Sequence, residues 1–391
     1  MAEEPHTVLI SGCSSGIGLE LAVQLAHDPR KRYQVVATMR DLEKKGTLEA
    51  AAKEALGKTL TVAQLDVCSD ESVAQCLSCI QGGKVDVLVN NAGVGLVGPL
   101  EGLSIAAMQN VFDTNFFGAV RLVKAVLPGM KRRRQGHIVV VSSVMGLQGV
   151  VFNEVYAASK FALEGFFESL AIQLLQFNIS VSLVEPGPVA TDFEGKLLEQ
   201  VSEAEFPGTD AETLGYFRDI YLPASRELFR SLGQNPQDVA QAIVRVIGSA
   251  RPPLRRQTNG RYTPLTALKA ADASGRLYVG TAHRLLFRWP RLLYLGLCCL
   301  GAKVFSKADD SMSPNIHLTN SFAAKIILSE FRLHKGGEAE SELPSSCSGL
   351  AANVPSRGHR RSFRTGEPAS IFPAAQRLAG ALSRPSARGW T

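Results

Sequence analysis

A chain of 391 residues allows one large domain or two ordinary ones, and 45% apolar with 20% charged residues marks a globular protein, not a disordered or fibrous one. A net charge of +6, with no aromatic residues set among the basic ones, excludes a nucleic-acid surface, so the run Lys131-Arg132-Arg133-Arg134 reads as a solvated helix end. Seven scattered cysteines exclude a disulfide framework and point to a reducing compartment, and the acidic start Met-Ala-Glu-Glu-Pro is unlike a signal peptide.

The first strand expected is Thr7–Ser11, followed by Ser11-Gly12-Cys13-Ser14-Ser15-Gly16-Ile17-Gly18 and a helix over Gly18–His27. Glycines between a buried strand and a helix N-terminus let the backbone turn sharply and approach a pyrophosphate, which accepts from the free N–H groups of the helix. A second strand, Gln34–Met39, ends on Thr38-Met39-Arg40-Asp41. An acid here would accept from the 2′-hydroxyl of an adenosine ribose and select NAD, whereas a guanidinium clamps a 2′-phosphate. Arg40 therefore favours NADP(H), and Asp41 either serves a turn or weakens the phosphate site. The third strand, Thr61–Asp66, precedes a helix over Ser69–Ile80, which Asp66 could cap. Cys76 and Cys79 fall inside this helix and have no second pair to close a zinc site, so no metal is expected.

Next come a strand Val85–Asn90 running into Asn90-Asn91-Ala92-Gly93, a helix Ile105–Val126 containing Asn115, and a strand His137–Ser142 followed by Ser143. Val85–Val89 and Ile138–Val141 are apolar enough to be covered on both faces. The helix Val155–Phe177 carries Tyr156-Ala157-Ala158-Ser159-Lys160, which puts the phenol and the ammonium on one face, four residues apart. A free tyrosine titrates near pH 10, and a neighbouring Lys⁺ favours its phenolate, bringing proton transfer closer to neutral pH. A sixth strand, Ser180–Glu185, leads into Pro186-Gly187-Pro188-Val189-Ala190-Thr191. Beyond it, residues 192–235 read as irregular structure and a helix, suited to a substrate lid. A helix over Pro236–Ser249 and a short strand near Tyr262 follow. Alternating strands and helices imply an α/β, doubly wound parallel sheet, with the ligand at the carboxyl ends of the strands.

The G-x-x-x-G-x-G spacing preceded by Ser11, the N-N-A-G motif and the Y-x-x-x-K motif together resemble the short-chain dehydrogenase/reductase family over about residues 5 to 300. The resemblance implies a Rossmann domain over residues 5–280, with the lid at about 192–235. It gives Ser11, Gly12, Cys13, Ser14, Gly16, Ile17 and Gly18 to the cofactor phosphates, Asp66 to the adenine, and Asn91 and Gly93 to the cofactor's approach. Pro186, Val189 and Thr191 border the nicotinamide. In the catalytic set, Tyr156 is the acid/base and Lys160 holds the nicotinamide ribose. Asn115 relays protons through a water. Ser143, thirteen residues before Tyr156, orients the reacting oxygen, with the adjacent Ser142 as the alternative.

Within the family, the stretches Gly95–Glu101 and Tyr156–Gly165 are most similar to members that act on retinoids and on steroids. A lid histidine meets the far oxygen in the steroid branch, and Gly215-Tyr216-Phe217-Arg218 has none. The expected function is therefore NADPH-dependent reduction of all-trans-retinal to all-trans-retinol, a visual-cycle step. The alternatives are an NADP(H)-dependent 17-beta-hydroxysteroid dehydrogenase and a non-catalytic membrane-bound binding protein. The resemblance leaves a homodimer open. Residues 281–305 pair Arg284, Arg288, Trp289 and Arg291 with leucines in a run too short to span a bilayer, which takes about 20 residues, and so read as a membrane-associating segment. Cys298 and Cys299 beside it are candidates for S-acylation. The expected place is the cytoplasmic face of a membrane, by resemblance that of the photoreceptor outer segment. Residues 306–391, rich in Ser, Pro, Arg, Gly and Ala, read as a mostly disordered tail unlike the family.

Overall fold

The structure, a computed structural model, describes residues 4–288. Seven strands form one sheet: β1 (His6–Ile10), β2 (Tyr33–Met39), β3 (Leu60–Gln64), β4 (Val87–Asn90), β5 (Gly136–Val141), β6 (Ile179–Glu185) and β7 (Arg255–Gln257). All neighbours pair in parallel, in the order β3-β2-β1-β4-β5-β6-β7. The chain order reverses direction between β1 and β4, and a crevice for a ligand opens at the carboxyl ends of such a pair. The helices are α1 (Gly16–Ala26), α2 (Gly46–Ala52), α3 (Asp70–Ser78), α4 (Ile105–Phe112), α5 (Gly118–Arg133), α6 (Glu154–Leu174), α7 (Asp192–Glu203), α8 (Ala211–Gly215), α9 (Leu222–Leu232), α10 (Pro236–Ile247), α11 (Thr263–Ala271) and α12 (Arg276–His283).

Both faces of the sheet are covered because alternate residues of each strand are apolar on both sides. Val8 and Ile10 of β1 pack with Leu21 and Leu25 of α1 and Ile243 of α10, whereas Leu9 between them packs with Leu122 of α5 and Phe167 of α6. The doubly wound expectation holds, and the six expected strands fall within two residues of their observed limits at each end. The seventh strand lies at Arg255–Gln257, earlier than the expected place near Tyr262, which sits in a 3-10 turn over Gly260–Tyr262.

Residues 192–235 are more helical than their sequence suggests: α7, α8, a π turn over Tyr216–Tyr221 and α9 fill most of the segment. They carry an apolar cluster of their own, in which Leu198, Phe206, Phe217 and Tyr221 pack with Val97 and Phe152. The basic run closes α5 and Arg132–Arg134 are exposed, as a solvated helix end should be, and it also anchors the helix. Lys131 lies 4.7 Å from the centre of the Phe177 ring, Arg133 donates to Val85 O at 2.7 Å and Arg134 donates to Gln176 O at 2.6 Å. Cys76 is buried in α3 and Cys79 follows that helix, as plain helix residues would. Cys298, Cys299, the segment beyond 288 and the tail at 306–391 lie outside the described residues.

Candidate active site

The carboxyl ends of the central strands open into a cavity of about 990 Å³. Its floor is the glycine loop. Gly12 and Gly16 adopt φ of +73° and +59°, a left-handed conformation that glycine takes without strain. A Cβ on Gly12 would stand 2.9 Å from Ala92 Cα, and one on Gly18 would overlap Gly12 O, so the loop is pressed directly onto the end of β4. Ser11 ties the two together: its hydroxyl accepts from the backbone N–H groups of Asn91 and Ala92, each at 3.0 Å. Asn91 Nδ2 returns the contact by donating to Ser11 O and Gly12 O, both at 2.9 Å. Ser15, which starts α1, makes no side-chain cap there, whereas Ser69 and Ser104 cap α3 and α4. The first N–H groups of α1 therefore receive no cap from that serine at the cavity floor.

Gly12, Ser14, Gly16 and Ile17 line the cavity, as do Arg40, Asp66, Asn91 and Gly93. Cys13 does not. Its side chain is wholly buried in the core, its thiol donates to Ile10 O at 3.4 Å, and burial pushes it up to about 12. It is a packing residue, and only its backbone belongs to the loop. Asp41 is a turn residue: its carboxylate accepts from Glu43 N at 3.0 Å and meets Lys44 at 3.5 Å. Arg40 is exposed at the rim, and among the described residues no carboxylate pairs with it. Asp66 accepts from Cys68 N at 2.9 Å, and it is Ser69 that caps the next helix. These residues fit a dinucleotide: a glycine cradle that a Cβ would fill, a helix N-terminus without a side-chain cap and, at the rim, the Arg40 guanidinium.

On the opposite wall, α6 sets Tyr156 and Lys160 one turn apart, with the ammonium 5.5 Å from the phenol ring centre. Lys160 is 4% exposed and donates to Val141 O at 3.0 Å. Burial pushes its ammonium down to about 8, with the nearby Glu164 carboxylate opposing the shift. Ser143, just beyond the end of β5, lines the same cavity. Its hydroxyl accepts from Met145 N at 3.1 Å and reaches Pro186 O at 3.5 Å, on the side where Val189 and Thr191 also line the cavity. The Ser142 hydroxyl instead faces Glu164, which favours Ser143 as the residue for a substrate oxygen. Glu164 and the buried Glu185 share Arg255 Nε, at 3.1 and 3.3 Å, as a buttress behind the cavity. Burial and the Glu164 charge push Glu185 up to about 7, against the pull of Arg255.

Asn115 sits in a π turn, Asp113–Phe117, between α4 and α5. Its Nδ2 donates to Val94 O and Ser159 Oγ, both at 3.0 Å, and its Oδ1 accepts from Val94 N at 2.8 Å. The side chain thus fastens the N-N-A-G segment to α6 and does not itself line the cavity.

Part of the remaining cavity wall comes from residues 192–235, where a lid was expected, and the part from α11 and α12 was not legible in the sequence. Leu197 and Leu198 of α7, Leu228 and Phe229 of α9, and Lys269 of α11 reach the cavity. So do Tyr278, Val279 and His283 of α12, with Leu285, Leu286 and Phe287 beyond it. His283 matters because the lid stretch 215–218 lacks a histidine while α12 delivers one to the same cavity. In that lid stretch Phe217 is buried and Tyr216 packs on Phe287 at 5.4 Å.

The model of the short chain dehydrogenase family matches residues 6–202. Bovine retinol dehydrogenase 8 is 85% identical over 305 residues, covering 78% of this chain and 98% of that protein. Human 17-beta-hydroxysteroid dehydrogenase type 1 is 47% identical over 282 residues, 72% of this chain and 85% of that one. Among solved structures, actinorhodin polyketide ketoreductase with NADPH is 29% identical, with a TM-score of 0.56, over 66% of this chain and 98% of its own.

Proposed function

The chain belongs to the short-chain dehydrogenase family, and from that premise we propose that it reduces all-trans-retinal to all-trans-retinol with NADPH. The observation that carries this reading is the convergence of Ser143, Tyr156 and Lys160 on one apolar cavity, in a chain 85% identical to a retinol dehydrogenase. Lipophilic walls from α7, α9 and α12 suit a polyene.

NADPH, when bound, would supply the hydride. Gly12, Gly16 and the start of α1 would hold its pyrophosphate, Arg40 its 2′-phosphate, and Lys160 the nicotinamide ribose. Ser143 donates a hydrogen bond to the carbonyl oxygen and steadies the charge that develops there. Tyr156 donates its phenolic proton to the same oxygen, and the Lys160 ammonium keeps that transfer accessible near neutral pH. The Asn115 side chain is committed to Val94 and Ser159, so in this reading it holds the segment after the N-N-A-G motif against α6 and does not itself carry the proton.

A steroid carbonyl is the second reading, favoured by His283 in the cavity and by the 47% identity to a hydroxysteroid dehydrogenase. Product analysis with NADPH and either all-trans-retinal or estrone separates the two: faster turnover of estrone overturns the retinoid assignment. Tyr156→Phe should abolish turnover while NADPH still binds, and an active variant removes the tyrosine from the mechanism.

Residues 281–305 serve, in this reading, as a membrane-associating segment at the cytoplasmic face, with Leu285, Leu286 and Phe287 linking the cavity to a lipid phase. No helix among the described residues is long and apolar enough to cross a membrane. Co-sedimentation of the full chain with liposomes tests the attachment, and a chain left wholly in the supernatant refutes it.

A further inference from the structure

Residues 144–153 connect Ser143 to α6, which carries Tyr156 and Lys160, so the shape of this connection sets how far the serine hydroxyl lies from the phenol. Its two ends are held by the β4 and β6 loops and by the π turn before α9. Val144 N donates to Pro186 O at 2.9 Å, Gly98 N donates to Phe152 O at 3.0 Å, and Asn153 Nδ2 donates to Tyr221 Oη at 2.6 Å. Its middle is held from a distant part of the chain. Lys269 Nζ donates to Leu147 O and Tyr278 Oη donates to Gly149 O, each at 2.6 Å, across 122 and 129 residues of sequence.

Lys269 does more than fill a carbonyl. Its ammonium also stands 4.1 Å from the centre of the Phe161 ring, and Phe161 is the residue after Lys160. One side chain therefore grips both the segment leaving Ser143 and the helix bearing Tyr156. Among the described residues no carboxylate neutralises it, and burial lowers its affinity for the proton. A lysine stem can usually carry its charge out to water. Here the charge turns inward, to one carbonyl and one ring face, on the wall of the cavity.

We propose that Lys269 and Tyr278 are positioning residues that clamp Leu147 and Gly149 so that Ser143 and Tyr156 meet the same substrate oxygen. The proposal rests on the roles given above to Ser143 and Tyr156. It extends the active site to α11 and α12, which contribute no group to the chemistry.

The test uses the full chain and whichever of all-trans-retinal or estrone the unaltered enzyme reduces faster, with Tyr156→Phe run alongside. Lys269→Met keeps the stem and loses the charge, Lys269→Arg keeps both, and Tyr278→Phe removes one hydroxyl. Lys269→Met should lower kcat on the order of tenfold to a hundredfold and Tyr278→Phe several-fold, with the KM for NADPH and the melting temperature unchanged. Lys269→Arg should recover most of the rate. The proposal is overturned if both Lys269→Met and Tyr278→Phe keep kcat within about twofold of the unaltered enzyme. It is equally overturned if kcat, NADPH affinity and melting temperature fall together without rescue by arginine, since that is the pattern of a fold-stabilising contact. An active Tyr156→Phe would instead overturn the underlying site assignment, so the two failures read differently.

Discussion

Replacing Lys160 with methionine should destroy turnover and yet make the cofactor-free protein more stable at neutral pH. The ammonium is buried, and its pKa falls from 10.5 to about 8. At about 1.36 kcal/mol per tenfold change in proton affinity, holding the charge inside costs about 3 kcal/mol. Its hydrogen bond to Val141 O returns about 1 kcal/mol, leaving a net penalty of about 2 kcal/mol that Lys160→Met removes. The sign follows from the depressed folded-state value. Below pH 8 both native and unfolded lysines are charged and the full penalty applies. As pH rises toward 10.5 the native side chain gives up its proton while the unfolded one keeps it, and the penalty fades. Thermal melts of both proteins without cofactor should place the methionine variant about 4–8 °C higher at pH 7, with most of that advantage gone by about pH 9.5. A variant that melts at or below the unaltered protein at pH 7 would refute the claim that desolvation dominates at this site.

Arg40→Leu should raise the KM for NADPH on the order of tenfold to a hundredfold and leave that for NADH nearly unchanged; an unaltered preference removes the guanidinium from cofactor choice. His137 is buried against Ser182 Oγ at 3.0 Å, and burial pushes it down to about 4. It therefore contributes stability above pH 6.5 that is lost as pH falls toward 4, on the order of 3 kcal/mol, so urea unfolding of His137→Asn should show a smaller acid loss than the parent. Gly102→Ala would put a Cβ 2.5 Å from Phe206 Cβ and 2.7 Å from its Cα, in the apolar cluster beneath α7 to α9. The expected outcome is a several-fold higher KM for the carbonyl substrate with NADPH binding intact, and equal changes in both would place the effect elsewhere.

The sheet was legible because strands covered on both faces have to be apolar at successive positions, and Ile138–Val141 shows that plainly. The cofactor loop was legible because its chemistry is local: glycine, serine and a helix start lie within eight residues. Where one residue type suits two jobs, spacing could not decide between them. Asp41 and Asp66 both spend their carboxylates on nearby backbone N–H groups, and Cys13 sits in the glycine loop yet turns into the core. Ser142 and Ser143 are separated only by what lies on either side of β5, Glu164 on one and Pro186 on the other. The walls contributed by α11 and α12 were hidden for a different reason. Lys269 and Tyr278 meet their partners across more than a hundred residues, and no local pattern records such a contact.

The strand order has a consequence for how the chain is made. β1 leaves the ribosome before the other six strands of the sheet, yet it belongs at its centre, between β2 and β4. Its β2 edge is satisfied early, since Val8 pairs with Val35, but the other edge waits for Val87, 79 residues after Val8. At ordinary rates of synthesis that wait lasts roughly 4 to 16 s. Once β3 has been made, a half-sheet of β1, β2 and β3 offers an apolar, unpaired strand edge to any neighbouring chain until β4 arrives. The nascent protein is therefore most exposed to mispairing before the Asn90-Asn91 motif has been translated, and the bonds from Asn91 to Ser11 and Gly12 that close the cofactor loop form only when that interval ends.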